Sequence, residues 1–181
     1  MITDQLPVGY HRFSRNPFVN YQLNRWWSLG YTRREDIEEA GRRIKTFDDN
    51  RDVFSELARK AEGEGRLANA AFYWRAAEFL TSPYDDAKLE LYRRFRQTFY
   101  RAFADDEIEQ HEVPYGDGRL SAFRLQPVAD QNRPESPGRP KGTVVYHGGF
   151  DSFIEEFYCF ARAFAEAGYE VIGFDGPGQG A

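Results

Sequence analysis

The chain has 181 residues, of which 41% are hydrophobic and 29% are charged, a balance typical of a globular protein and not of a disordered one. Its formal net charge of -5 argues against a nucleic-acid-binding protein, which would show a basic face. A single cysteine excludes an internal disulfide framework, and no apolar run reaches the roughly 20 residues of a membrane-spanning helix. The start of the chain lacks the pattern of a signal peptide, so the sequence predicts a soluble, cytoplasmic protein without nucleic-acid or membrane partners.

An aromatic stretch precedes the first segment in which apolar residues have helical spacing. Residues 16–31, NPFVNYQLNRWWSLGY, are irregular in pattern, and the sequence assigns them no element. Thr32 follows, with Glu35 three residues later, and this spacing predicts a capping box at the start of a helix. The helical spacing continues to about residue 104, which predicts several antiparallel helices.

Three further helical segments complete this half of the chain. Residues 48–65 carry an apolar stripe and end in glycines, as a helix with a stop signal does, and residues 67–80 continue the helical spacing. Ser82 as N-cap and Pro83 at the first helical position predict the start of the last helix. The stripes of the first and last of these helices are Val53, Phe54, Leu57, Ala58 and Ala61, and Leu91, Phe95, Phe99 and Phe103.

The second half of the chain changes from helical to strand spacing. Ile108–Val113 and Leu120–Leu125 are predicted strands, and Asp117-Gly118 signals the turn between them. These two strands must pair with further strands to form a stable sheet, and further strands are predicted only in the residues that follow them. The sequence therefore predicts a helical domain at residues 1–104 and a second domain at residues 105–181.

The last part of the chain has the order strand, helix, strand. Residues 143–147, TVVYH, are a short apolar strand, and a helix is predicted from Ser152 to about Ala167. Gly168 stops that helix, and residues 169–175, YEVIGFD, form the next strand. A strand–helix–strand unit implies a parallel sheet, so the predicted fold class is α/β with an all-helical domain ahead of the sheet.

The turn between this strand and this helix is glycine-rich and spans residues 147–152, HGGFDS. Two glycines allow a sharp turn with positive φ, and the pair Ser152 and Glu155 predicts a capping box on the helix. The amides of Gly149 and Phe150 would then point into the space beyond the strand, where they could stabilise an oxyanion. The alternative is a tight turn that needs glycine only to connect the two elements.

A second glycine-rich stretch, residues 173–181, GFDGPGQGA, follows the last strand. A phosphate-binding loop would need G-x-x-x-x-G-K-S/T, which is absent. The glycines at 176, 178 and 180 alternate and do not form the G-x-G-x-x-G of a dinucleotide site. The sequence thus predicts no nucleotide cofactor, and no other cofactor either.

Together, HGGFDS with its two following glutamates and FDGPGQG about 20 residues later resemble the α/β-hydrolase fold. The closer resemblance is to a subgroup with a helical domain ahead of the sheet. It includes pseudooxynicotine-type carbon–carbon hydrolases, fungal polyketide-shortening hydrolases, and dipeptidyl aminopeptidase-like and FrsA-like esterases. The resemblance covers residues 105–181 and implies a helical cap domain followed by the first strands of an incomplete α/β-hydrolase sheet.

This resemblance implies an oxyanion hole in which the Phe150 amide is the donor and Gly149 its support, while residues 175–180 shape the cleft floor. The nucleophile of such enzymes lies in G-x-S-x-G, and none of the seven serines here has that context. The resemblance therefore implies the N-terminal fragment of a serine hydrolase that cleaves a carboxyl ester or a carbon–carbon bond next to a ketone. The 181 residues alone are then inactive and prone to self-associate. The alternative is a non-catalytic protein that binds a partner through its helical half.

The remaining candidate residues have weaker signals. His147 is assigned to substrate binding as a residue that orients the loop, and the alternative is a general base. Trp26 and Trp27 either line the substrate cleft or form the core of the helical domain. An aromatic cap predicts a small apolar or aromatic carbonyl substrate. The sequence leaves open whether the protein forms a homodimer. Cys159 is predicted to be a buried structural thiol, and it has no metal-ligand spacing to His11 or His111, so no metal site is predicted.

Overall fold

The structure is a computed structural model that describes residues 6–128 and 140–179. The chain divides into two compact units, a helical unit that ends at Phe103 and a sheet unit that begins at Ala104. None of the helices in the described ranges combines the length and the apolar character that crossing a membrane requires.

The helical unit contains five α-helices, in which α4 lies between α3 and α5. All residues of α4 from Ala70 to Glu78 are buried, so this helix forms the centre of the unit. The stripe predicted for α3 is confirmed, because all five of its residues are buried. The helices are α1, Pro17–Ser28; α2, Arg34–Arg43; α3, Phe47–Gly63; α4, Leu67–Phe79; and α5, Ala87–Ala102.

Helix α1 occupies the stretch to which the sequence assigned no element. The Asn16 side chain accepts hydrogen bonds from the amides of Phe18 (3.0 Å) and Val19 (3.3 Å), and Pro17 stands at the first helical position. Asn-Pro is therefore a start signal that outweighs the irregular apolar pattern of the stretch. Inside the unit, the Asn20 and Asn24 side chains bind the backbone that precedes the helix.

Two predicted helix starts are wrong. Helix α2 begins at Arg34 without a side-chain cap, because the Thr32 hydroxyl donates instead to the carbonyl of Trp26 (3.4 Å). Helix α5 begins at Ala87, since Ser82 opens a turn in which its carbonyl accepts from the Asp85 amide (3.0 Å). Proline at the second position of that turn fits it as well as it fits a helix start.

The sheet unit has four strands in the order β1-β2-β4-β3. The predicted hairpin is confirmed, although its ladder extends to Tyr115 and Gly118, and the two-residue loop between them places Gly116 at φ +55°. β2 pairs antiparallel with β4, and β4 pairs parallel with β3, which confirms the predicted parallel connection. The strands are β1, Glu109–Tyr115; β2, Gly118–Leu125; β3, Thr143–His147; and β4, Glu170–Phe174.

Helix α6, Tyr158–Glu166, covers one face of this sheet. The Phe123 ring of β2 contacts the rings of Tyr146 and Tyr158 at centroid distances of 6.0 and 6.3 Å. The Tyr158 hydroxyl donates to Asp106 (2.5 Å), and burial raises the pKa of this phenol. On the other face, Val145 keeps 60% of its surface exposed.

We expect the 181-residue chain, produced alone, to self-associate through β3. This edge strand is short of charge and includes the exposed Val145, whereas the other edge strand, β1, carries two glutamates and Pro114, which hinder strand addition. Val145→Lys should therefore shift the chain toward monomer in analytical ultracentrifugation, while Val113→Lys on β1 should not. Equal effects of the two substitutions would exclude β3 as the associating edge.

Candidate functional site

The candidate site lies where β3 and β4 end side by side. The last residues of the two parallel strands, His147 and Phe174, are paired, and their rings are in contact at 5.7 Å. The loops that follow them therefore leave the sheet at the same edge. They are defined as the first loop, residues 148–153, and the second loop, residues 175–179.

The first loop requires glycine at one of its two glycine positions. A Cβ on Gly148 would lie 2.8 Å from the carbonyl oxygen of Ser152 and 3.1 Å from its Cβ, so a side chain there would displace the backbone. A Cβ on Gly149 would come no closer than 3.4 Å to any atom. Neither glycine has positive φ, so the conformational freedom that the sequence allowed is not used. Close approach to Ser152 is the reason for the glycine.

A β-turn forms the tip of the first loop. The Ser152 amide donates to the Gly149 carbonyl over 3.1 Å, which leaves Phe150 and Asp151 in the two central positions. The Phe150 side chain is 95% exposed, so it contributes almost nothing to the packing of the loop. Its backbone, in contrast, is fixed by the turn.

The predicted Ser152 cap is wrong. The amide of Ser152 is used by the turn, and its hydroxyl donates to Asp151 (3.2 Å). The capping carboxylate is that of Glu156, which accepts from the Phe153 amide (2.9 Å). The chain passes through a 3-10 turn at Ile154–Phe157 before α6 begins, so the helix starts six residues later than predicted.

Two side chains of the second loop bind the first loop or the residue that follows it. Gln179 accepts from the Gly176 amide (2.6 Å) through Oε1, and its Nε2 donates to the carbonyls of Ser152 (2.9 Å) and Gly149. Asp175, buried at 1% exposure, accepts from the Ile154 amide (3.1 Å) through Oδ1. The sequence had given this loop the role of a cleft floor and did not identify either tie.

Tyr146 and Gly173 provide a third support beneath the loop. The Tyr146 hydroxyl donates to the Ile154 carbonyl (3.0 Å), so tyrosine and Asp175 hold the two sides of that residue. A Cβ on Gly173 would lie 2.9 Å from Cζ of Tyr146. Because Gly173 has no side chain, the Tyr146 ring can pack against the backbone of the neighbouring strand. An isolated glycine within a strand is the sequence signal that could have predicted this close packing.

His147 binds the backbone of the loop it precedes. Its Nδ1 lies 2.7 Å from the Gly148 carbonyl oxygen, and because a carbonyl only accepts, Nδ1 carries the proton. The side chain is exposed at the sheet edge. This contact ties the imidazole of His147 to the backbone of the first loop.

Two neighbouring amides of the first loop are not used by the described part of the chain. Among the described residues, none accepts a hydrogen bond from the amide of Gly149 or of Phe150. Both residues are exposed at the carboxyl end of β3. Fixed N–H donors of this kind can stabilise the negative charge of a tetrahedral intermediate.

The two tryptophans belong to the helical unit and differ in burial. Trp26 is 1% exposed, and its ring meets Phe79 edge-on at 5.6 Å. Trp27 is partly exposed and contacts the rings of His11 and Phe13. Its indole N–H is buried, and no group in the described part of the chain accepts from it.

The other sequence candidates do not form a site. Cys159 is 1% exposed, and burial raises the pKa of its thiol, which makes it a weak nucleophile. Across residues 6–128 and 140–179, no three His, Cys, Asp or Glu side chains gather closely enough to hold a metal ion.

Curated relatives of this chain are fungal hydrolases, although no protein-family model matches it. It is 38% identical over 116 residues to the 20-hydroxy-prefusarin hydrolase FUS2 of Gibberella moniliformis and 36% identical over 131 residues to the hydrolase LUC6 of a Fusarium species. It is 27% identical over 197 residues to the alpha/beta hydrolase psoB of Aspergillus fumigatus. These alignments cover 61%, 67% and 94% of this chain but 27%, 30% and 44% of the relatives. The chain thus spans less than half the length of each.

Two solved structures share its architecture. AbyA5 superimposes with a TM-score of 0.68 and 17% identity over 91% of this chain and 46% of that one. The 2,6-dihydroxy-pseudo-oxynicotine hydrolase gives a TM-score of 0.54 and 20% identity over 86% of this chain and 46% of that one. At such identities the likeness concerns the fold alone.

Proposed function

Because the chain has the fold of the α/β-hydrolases and is related in sequence to fungal hydrolases, we propose that it supplies the oxyanion-binding part of a serine hydrolase. The bond cleaved is a carboxyl ester or a carbon–carbon bond next to a ketone. The observation that carries the proposal is the pair of amides at Gly149 and Phe150, held at the carboxyl end of β3, for which the described residues supply no acceptor.

In this proposal the catalytic serine attacks the substrate carbonyl while a histidine accepts its proton. The carbonyl oxygen then becomes an oxyanion, and the Phe150 amide donates to it, with a second amide supplied by the residue after the serine. Both types of bond cleavage pass through such an oxyanion, so the loop serves either reaction. The serine, its histidine and their acid are assigned to residues beyond this chain.

The proposed substrate is a small apolar or aromatic carbonyl compound. Support comes from Trp27, a partly exposed indole whose ring lies beside those of His11 and Phe13. The 20-hydroxy-prefusarin hydrolase and the 2,6-dihydroxy-pseudo-oxynicotine hydrolase are each named for one organic compound. The lone thiol and its burial agree with a reducing compartment, so we place the enzyme in the cytoplasm.

The test is to sequence the encoding DNA beyond the codon for Ala181 and to assay the protein of the whole reading frame. The proposal expects G-x-S-x-G within a few tens of residues, with Asp and His beyond it. The protein should hydrolyse p-nitrophenyl acetate or cleave 1-phenyl-1,3-butanedione, and replacing the elbow serine by alanine should abolish both reactions. A stop codon at that position would refute the proposal.

A second candidate, a partner-binding protein, is favoured by one observation in the helical unit. Arg12, Arg15, Arg42 and Lys45 line an open cavity of about 720 Å³. Within the described ranges no ion pair with a carboxylate engages Arg12, Arg15 or Arg42, unlike the nearby Arg43, which bonds two glutamates. An acidic peptide would fit this surface. Arg15→Glu with Arg42→Glu should then weaken binding of a polyglutamate peptide, whereas Arg94→Glu should not.

A further inference from the structure

We propose that Gln179 is a positioning residue that fixes the direction of the Phe150 amide. The inference rests on the proposed function, because it matters for catalysis only if that amide meets an oxyanion. Gln179 belongs to the second loop, for which the sequence analysis predicted only that it shapes the cleft floor.

The argument begins with the peptide bond between Gly149 and Phe150. No peptide bond of the described chain is cis. The carbonyl of Gly149 and the N–H of Phe150 therefore lie in the same peptide plane and point in opposite directions. Whatever holds the carbonyl therefore aims the N–H. The groups that hold it are Nε2 of Gln179 and the amide of Ser152.

Gln179 is suited to this task because all its hydrogen-bonding groups are engaged. Oε1 accepts from an amide, Gly176 N (2.6 Å), and Nε2 donates to two carbonyls, of Gly149 and Ser152. Since an amide only donates and a carbonyl only accepts, the two ends of the side-chain amide cannot be exchanged. The contacts to Gly149 and Ser152 span 30 and 27 residues, so they join loops from two strands.

The other two ties from the sheet act farther along the chain than the Gly149–Phe150 peptide. The ties made by Asp175 and Tyr146 act on Ile154, beyond the turn. The Phe150 side chain is exposed and cannot hold its own backbone. Gln179 therefore acts directly on the Gly149–Phe150 peptide, beside the turn hydrogen bond from the Ser152 amide.

Two substitutions separate the roles of the side chain. Gln179→Glu keeps the acceptor for Gly176 but places a carboxylate oxygen against the carbonyl oxygens of Gly149 and Ser152. Gln179→Met keeps the length and removes all hydrogen bonds. In the protein of the whole reading frame, both should lower kcat by about 10- to 100-fold, less than the loss of an entire oxyanion donor, and leave KM nearly unchanged. Affinity for a trifluoromethyl ketone inhibitor, which mimics the oxyanion, should fall in parallel.

A pH profile distinguishes positioning from a general structural effect. A protonated glutamic acid regains one O–H donor, so the ratio of Gln179→Glu to wild-type kcat should rise as the pH falls from 8 to 5. The ratio for Gln179→Met should stay flat. The matched control is Gln110→Glu, the same chemical change at an exposed position of β1, which should leave kcat unchanged. A flat ratio for Gln179→Glu would overturn the inference.

Hydrogen exchange at single-amide resolution separates this inference from the proposed function. Faster exchange of the Ser152 amide in Gln179→Glu, with reduced kcat, supports both. Faster exchange with unchanged kcat means that Gln179 holds the loop but that Phe150 meets no oxyanion, so the proposed function fails and the positioning role stands. Unchanged exchange at Ser152 overturns the positioning role, whatever the kinetics.

Discussion

Phe150→Pro is expected to lower kcat by about 10²- to 10³-fold, the range found when one oxyanion donor is removed. Proline has no amide hydrogen, so the substitution deletes the proposed donor. It should do so with little distortion, because Phe150 occupies the second position of the Gly149–Ser152 turn, where proline is favoured. Steady-state kinetics of the protein of the whole reading frame would measure the loss.

The control for this substitution is Phe150→Ala, which removes the exposed ring and keeps the amide. It should retain near-wild-type kcat, and any change should be in KM, since a side chain that is 95% exposed can contact substrate without supporting the loop. Both variants should keep the wild-type far-UV circular dichroism and melting temperature. An equal loss of kcat in the two variants would assign the effect to the ring and exclude the amide as the oxyanion donor.

The parts of the fold that depend on periodicity alone could be predicted from the sequence. The stripe from Val53 to Ala61 is buried as predicted, and the β3–α6–β4 connection is parallel. The stripe follows from burial of one face of a regular helix, and the parallel pairing follows from the order strand, helix, strand. The hairpin followed from the glycine-containing turn signal between two strand-like segments, and only its turn was displaced.

Helix starts were less predictable because one local signal fits several outcomes. Ser/Thr followed three residues later by an acidic residue occurs at Thr32 and again at Thr46. Only Thr46 forms the box, with Asp49 at 3.1 Å, whereas Thr32 donates to Trp26. A tertiary acceptor decided between the two, and no local pattern contains that information.

The sequence predicted the backbone loop of the candidate site but not the side chains that hold this loop in place. HGG marked the loop, but Gln179 reaches it only because parallel pairing brings the ends of β3 and β4 to one edge. Tyr146 likewise depends on the register that sets Gly173 beside it. Register across a sheet is a property of the assembled unit, so these contacts had no signal within either segment.

The sequence left Trp26 open between cleft and core, and its replacement should give the largest stability effect among these predictions. Trp26→Ala removes a ring that is 1% exposed, packed edge-on against Phe79 and flanked by the guanidinium of Arg75 at 5.8 Å. Loss of so large a buried side chain costs about 3–5 kcal/mol, because the surrounding residues fill the cavity only in part. Urea unfolding followed at 222 nm, where the helices dominate the signal, would measure the change.

Trp27→Ala is the matched control, since it deletes the same side chain one residue away. Its ring is partly exposed, so we expect a smaller loss of about 1–2 kcal/mol, together with altered substrate selectivity if the indole contacts substrate. Selectivity should be unchanged in Trp26→Ala at temperatures where that variant stays folded. The reverse result, in which Trp26→Ala is stable and changes selectivity, would place Trp26 in the substrate cleft and remove it from the core.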